Sequence, residues 1–133
     1  MVLVDTSVWI DVLRDARGTR GSALRSALAG EEAALTRFTA LELLQGCGDE
    51  RSWTLMREYL DAQEYLELSQ SSWASAARIY FDLRRLGRTV RSSIDCCIAQ
   101  VAIDHEVLLL HRDADFENIA GVCRLSQEYV RWS

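Results

Sequence analysis

The order of apolar and polar positions divides the chain into short apolar runs separated by longer amphipathic ones. Val2, Leu3 and Val4 form a brief β-branched run that stops at Asp5-Thr6-Ser7, a cluster suited to opening a helix. From Ser7, the spacing of Val8, Ile10, Val12 and Leu13 among Asp11, Arg14 and Asp15 predicts a helix closing near Gly18. Ser22 opens a shorter helix through Leu24 and Leu28 to Gly30. Residues 33–35 then predict a second strand, and Thr39 begins a helix stopped by Gly46-Cys47-Gly48.

The middle of the chain is more helical. Residues 50–61 place Trp53, Met56 and Leu60 on one stripe, with Leu55 and Tyr59 on a second. Residues 65–68 predict a strand. Ser72 opens a long helix to about Leu86, ended by Gly87, and Ser92 opens another to His105 with Ile94, Cys97, Ile98, Val101 and Ala102 on its apolar side. Residues 107–110 are a wholly apolar strand of the kind buried on both faces of a parallel sheet. A loop with one helical turn follows over 111–119, and 122–125 predict a last strand. Strands alternating with helices imply a three-layer α/β/α sandwich around a mostly parallel sheet of four to five strands. No repeat or linker interrupts the chain, so 1–133 is read as a single domain.

Composition narrows the chemistry. Apolar residues make up 49% and charged residues 26%, the balance of an ordinary globular domain. The formal charge of -5 argues against a protein that coats nucleic acid through an overall basic surface. All fifteen cationic residues are arginine. Without lysine there is no P-loop lysine, no Schiff base for a pyridoxal cofactor and no kinase-type strand lysine. Cys47, Cys96, Cys97 and Cys123 make no C-x-x-C, and His105 and His111 make no H-E-x-x-H, so neither a structural zinc site nor a disulfide scaffold is expected. No leader or membrane-spanning run is read in the sequence, and a cytoplasmic location is expected.

Five acids fall at element junctions. Asp5 follows the first strand, and Asp113 and Asp115 follow the strand at 107–110. Glu42 and Asp95 lie three residues after Thr39 and Ser92. Each has an ordinary structural role available. Thr39-x-x-Glu42 and Ser92-x-x-Asp95 match capping boxes, Asp5 can cap a helix, and Asp113 and Asp115 are turn formers. As a set they suggest more, because ligands bind parallel sheets outside the carboxyl ends of the strands. Carboxylates gathered there need a cation to offset their repulsion. Oxygen donors without histidine or cysteine select Mg²⁺ or Mn²⁺, and such ions serve hydrolysis of phosphate esters.

Four segments carry a family resemblance: V-L-V-D-T-S-V-W-I-D at 2–11, T-A-L-E-L-L-Q-G at 39–46, S-I-D-C-C-I-A at 93–99 and L-L-H-R-D-A-D-F at 109–116. In order and spacing the chain resembles the PIN-domain ribonucleases, and among them the VapC toxins of bacterial toxin–antitoxin modules. The resemblance covers essentially the whole chain. It implies a PIN-like fold and an acidic quartet of Asp5, Glu42, Asp95 and Asp113, with Asp115 as an additional acid. Asp5 and Asp95 correspond to the principal metal ligands and Asp113 to a nearby one, direct or through water. Glu42 corresponds to a residue orienting the attacking water, and Thr6 to one positioning water or phosphate. His111 stands where many relatives have threonine or serine. The resemblance further implies a structured RNA substrate such as a tRNA or ribosomal RNA, a homodimer, and inhibition by a cognate VapB-type antitoxin.

Residues 78–91 hold Arg78, Arg84, Arg85, Arg88 and Arg91 against Asp82 alone. Arg84, Arg85, Arg88 and Arg91 are therefore RNA-contact candidates, while arginines at a helix end also serve the helix dipole. Trp53, Met56, Tyr59 and Leu60 exceed one buried stripe, which leaves core packing, dimer contact and antitoxin groove open for that helix. A haloacid-dehalogenase-like phosphatase would need a second aspartate at position 7, where Ser7 stands, and a lysine. A phospho-receiver domain fails for the same lack of lysine. A DNA-cleaving relative and a catalytically silent PIN-fold protein, acting only through its antitoxin complex, stay open.

Overall fold

The computed structural model describes residues 1–132, and its centre is a five-stranded, wholly parallel sheet in the order β3-β2-β1-β4-β5. The strands are β1 (Val2–Val4), β2 (Ala33–Leu35), β3 (Glu64–Tyr65), β4 (Leu108–His111) and β5 (Gln127–Tyr129). The helices are α1 (Thr6–Arg14), α2 (Thr19–Leu28), α3 (Arg37–Gln45), α4 (Glu50–Asp61), α5 (Trp73–Arg85), α6 (Ser93–His105) and α7 (Asp115–Ala120). β1 is central: Val2 and Leu3 pair with Ala33 and Ala34, while Val2, Leu3 and Val4 pair with Leu108, Leu109 and Leu110. Among the described residues no helix is long and apolar enough to cross a membrane.

Strand alternation divides the core in two. Leu3 and Leu109 point into one layer with Ile79, Leu83, Ile98, Val101, Phe116 and Ile119 from α5, α6 and α7. Val2, Val4 and Leu110 point into the other with Val8, Trp9, Leu24, Leu43 and Leu60 from α1 to α4. The expected three-layer α/β/α sandwich is thus present, and the two-sided burial explains why β1 and β4 read as unbroken apolar runs.

The edges differ from the sequence reading. The last strand is the polar segment Gln127–Tyr129, paired with β4 through Leu109↔Gln127 and His111↔Tyr129, and not 122–125. Val122, Cys123 and Leu125 instead pack against the α5–α7 layer, so their apolar character reports burial without pairing. β3 is similarly shorter than expected: the Leu66 N–H still donates to the Leu35 carbonyl at 2.9 Å, but pairing ends there, and the Leu66 and Leu68 side chains cover the same core. α3 starts earlier than the pattern indicated because Thr36 is its cap, accepting from the Thr39 N–H at 3.2 Å. Glu42 consequently lies past the first turn, and the Thr39-x-x-Glu42 capping box does not form. α2 is preceded by Gly18 in the left-handed region (φ 72°), which a residue bearing a Cβ adopts only with strain.

Candidate metal and nuclease site

The sheet order reverses at β1: β2 and β3 lie to one side of it, β4 and β5 to the other. The crevice outside the carboxyl ends of β1 and β4 is therefore the topological switch point, where parallel sheets bind ligands. Asp5 extends β1 by one residue, its N–H donating to the Leu110 carbonyl at 2.9 Å. Its buried carboxylate caps α1, with Oδ2 accepting from the Ser7 N–H at 3.0 Å and the Ser7 hydroxyl at 2.6 Å. Ser7 also ties the two strand ends together, since its Oγ accepts from the Arg112 N–H at 2.9 Å.

Asp113 and Asp115 leave β4 in a tight turn. The Asp115 N–H donates to Asp113 Oδ1 at 2.9 Å, the turn-forming role its sequence allowed. Asp95, in the first turn of α6, faces them, and one carboxylate oxygen from each of Asp95, Asp113 and Asp115 lies within 4.8 Å of the others. Ser92 caps α6 by accepting from the Ile94 N–H, but among the described residues the Asp95 carboxylate accepts no protein hydrogen bond. Burial, followed by the charges of Asp5, Asp113, Glu42 and Asp115, pushes the Asp95 carboxyl up to about 7. Burial also raises Asp5, against the pull of its bonds to Ser7. All five acids thus share one electrostatic centre, although the tight oxygen cluster is Asp95 with Asp113 and Asp115.

Glu42 approaches from α3. The Thr6 hydroxyl donates to its Oε1 at 2.8 Å and lies 3.0 Å from the Thr39 hydroxyl. The one Thr6 hydroxyl proton faces both Glu42 Oε1 and the Thr39 hydroxyl oxygen, and this buried hydroxyl pair orients the carboxylate. Burial raises the Glu42 carboxyl, with the Thr6 bond opposing and Asp5 adding to the rise.

His111 fixes the acidic turn. Its ring is fully buried at the end of β4, 5.0 Å from Phe116 and 5.6 Å from Tyr129 between centroids. Nδ1 accepts from the Asp113 N–H at 3.2 Å, which puts the ring proton on Nε2, 2.6 Å from Gln127 Oε1. The histidine therefore does by its ring what a hydroxyl side chain would do at the turn, and adds an anchor to β5.

Of the four arginine candidates, the structure brings one to the acids. The Arg91 guanidinium donates to Asp113 Oδ2 at 2.6 Å, and its backbone N–H donates to Asp115 Oδ2 at 3.1 Å. Arg84 and Arg85 end α5 over Tyr80 and Phe81, and Arg88 lies against Gly121 beyond α7. On α4, Leu60 is buried and Met56 partly so, while Trp53 is 43% exposed and Tyr59 packs edge-on against Trp9. A groove of about 240 Å³ between α1, α3 and α4, lined by Ile10, Leu13, Leu43, Cys47 and Met56, opens beside Glu42. Ser7, Thr39 and the Arg91 ion pairs escaped the sequence reading. Ser7 had a signal, its place directly after Asp5-Thr6. Arg91 and Asp113 are 22 residues apart and had none.

The donor set suits a hard divalent cation. Every ligand atom at the cluster is a carboxylate oxygen, and the neighbouring Cys96 thiol is pushed up to about 12, chiefly by burial, so it offers no thiolate.

The PIN domain family model matches residues 2–122. Ribonuclease VapC11 of Mycobacterium tuberculosis is 36% identical over 134 residues, which cover 98% of this chain and all of that protein. The fold superposes on VapBC2 from Rickettsia felis, crystallised with a DNA fragment from its promoter, with a TM-score of 0.78 at 16% identity, covering 97% and 98% of the two chains. VapBC-5 from Mycobacterium tuberculosis gives 0.67 at 25% identity, covering 98% and 97%. With the acids of the switch point in place, the chain belongs to the PIN-domain family, and within it to the VapC ribonucleases.

Proposed function

We propose that this protein is a divalent-metal-dependent endoribonuclease acting as the toxin of a type II toxin–antitoxin pair. It cuts a structured RNA, such as a tRNA or ribosomal RNA, and so halts translation in the cytoplasm until a cognate VapB-type antitoxin binds it. The observation that carries this reading is the convergence of Asp95, Asp113 and Asp115 oxygens within 4.8 Å at the switch point, beside buried Asp5. The names of the relatives support the activity, and the solved VapBC complexes support the partner. The working unit is proposed to be a homodimer.

Asp5, Asp95 and Asp113 hold the cation, with Asp115 completing the site, and the hard donors favour Mg²⁺ with Mn²⁺ as substitute. A bound cation supplies Lewis acidity that offsets charge on the phosphate. Glu42 orients a water and accepts its proton as the water oxygen attacks phosphorus; the P–O ester bond breaks, and the leaving oxygen keeps the bonding pair and takes a proton from solvent. The raised Glu42 carboxyl suits that role. Thr6 acts through Glu42, since its hydroxyl faces that carboxylate at 2.8 Å. Recognition of RNA by shape fits a small basic rim around an acidic centre, despite the overall charge of -5.

The test is cleavage of total cellular RNA by antitoxin-free protein with Mg²⁺, with chelator, and with Asp95→Asn. Discrete new 5′ ends requiring both metal and Asp95 are expected. No cleavage at any metal concentration, from folded protein, would leave a catalytically silent partner of the antitoxin.

A further inference from the structure

Building on the ribonuclease reading, we propose that Arg91 is an exchangeable counter-ion. It neutralises the acidic turn before a cation binds, and is displaced onto the RNA backbone when one does. Both oxygens of Asp113 are in use: Oδ1 accepts from the Asp115 N–H, and Oδ2 from the Arg91 guanidinium. Oδ1 is held by the turn itself, so Oδ2 is the oxygen Asp113 can give up. A divalent ion drawing on Oδ2 and the guanidinium compete for the same lone pairs and repel each other across a few ångströms.

The attachment of Arg91 is built for such an exchange. Its backbone N–H bonds Asp115 Oδ2 at 3.1 Å and keeps the residue beside the centre. The Arg91 side chain is 80% exposed and that of Asp113 15%, so releasing Asp113 swings the arginine into solvent from the rim of the site and leaves the core intact. The Nε contact to Asp115, at 3.6 Å, is longer still. A guanidinium freed there stands at the rim of the metal site with a planar fork of donors suited to a phosphate. Arg84 and Arg85, laid over Tyr80 and Phe81, have no such link to the acids. The exchange couples metal to substrate: the arginine becomes available to RNA only when the site is charged for chemistry.

Two titrations test this. Calorimetric titration with Mn²⁺ alone compares wild type, Arg91→Met, and Arg85→Met as a control that removes a charge without an acidic partner. Arg91→Met is expected to bind Mn²⁺ about three- to five-fold tighter, the scale of an exposed ion pair, with Arg85→Met within about two-fold of wild type. Anisotropy with labelled total tRNA then compares binding in chelator and in Ca²⁺. Arg91→Met is expected to lose about ten-fold in Ca²⁺, as for one charged hydrogen bond, and less than about two-fold in chelator. Unchanged or weaker Mn²⁺ binding by Arg91→Met overturns the proposal, and so does an equal loss of tRNA binding in both conditions. If wild type binds no tRNA in either condition, the RNA reading fails alone, and the Mn²⁺ titration still decides whether Arg91 yields to the cation.

Discussion

Replacing Asp95 with asparagine is expected to make the metal-free protein more stable at neutral and alkaline pH. Asp95 is the most crowded of the acids, lifted from 3.8 to about 7 by burial and by Asp5, Asp113, Glu42 and Asp115 in that order. That lift corresponds to about 4 kcal/mol against the ionised form. The carboxylate is partly open to water, so screening reduces the expected gain to about 2 kcal/mol. For a domain of this size that is about 6–8 °C in Tm. The sign follows from proton linkage. The folded protein holds the Asp95 proton more tightly than the unfolded chain, so this contribution to stability is full below pH 3.8. It declines as pH rises to about 7 and is flat above. The gap between Asp95→Asn and wild type should therefore be small near pH 4, widen to about pH 7 and then hold. Thermal melts in chelator across that range measure it. Saturating Mg²⁺ should reverse the order at pH 8, because only wild type gains the binding energy of the ion. A capping-box role predicts the opposite: loss of a first-turn acid would lower stability most where that acid is ionised. An asparagine variant less stable than wild type at pH 8 in chelator, or a gap indifferent to pH, would refute the electrostatic account of the site.

Thr39→Val removes the hydroxyl behind Thr6 and should cost about 1 kcal/mol of stability while lowering cleavage about ten-fold. Mn²⁺ affinity should stay unchanged and Thr39→Ser should restore the rate, since the hydroxyl aims Glu42 and touches no metal ligand. His111→Leu leaves the Asp113 N–H and Gln127 Oε1 without their partner, and should cost about 2–3 kcal/mol by denaturant melts together with weaker Mn²⁺ binding. His111→Asn keeps an acceptor for Asp113, so it should lose stability but retain Mn²⁺ affinity closer to wild type.

The acids and the layers were legible in the sequence because local rules determine them. A strand buried on both faces is apolar along most of its length, which made β1 and the leucines of β4 directly legible, while buried His111 ends β4 with both ring nitrogens hydrogen-bonded. Edge strands follow a weaker rule, and β5, with Gln127, Glu128 and Tyr129, has no apolar signature at all. It is a strand because β4 offers it a ladder in register, a fact about β4. The helix starts show the same limit. Ser92 was found as a cap, whereas Thr39 drew attention from Thr36, three residues earlier and equally able to cap.

The sequence by itself therefore determined the alternation of strands and helices, the places of Asp5, Asp113 and Asp115 after strands and of Asp95 near a helix start, and the lack of any lysine chemistry; Glu42 it placed one turn too early. Tertiary structure decided what those acids do together. Crossing from β1 to β4 at the sheet's point of reversal brings residues some hundred positions apart, Ser7 and Arg112, into one hydrogen bond. It sets Asp95 against Asp113 and Asp115, and drives the Asp95 carboxyl to about 7. The physical reason is one of range. Propensity, capping and periodicity act over a few residues along the chain, while burial and Coulomb repulsion depend on distance through space, which only the packed sheet fixes.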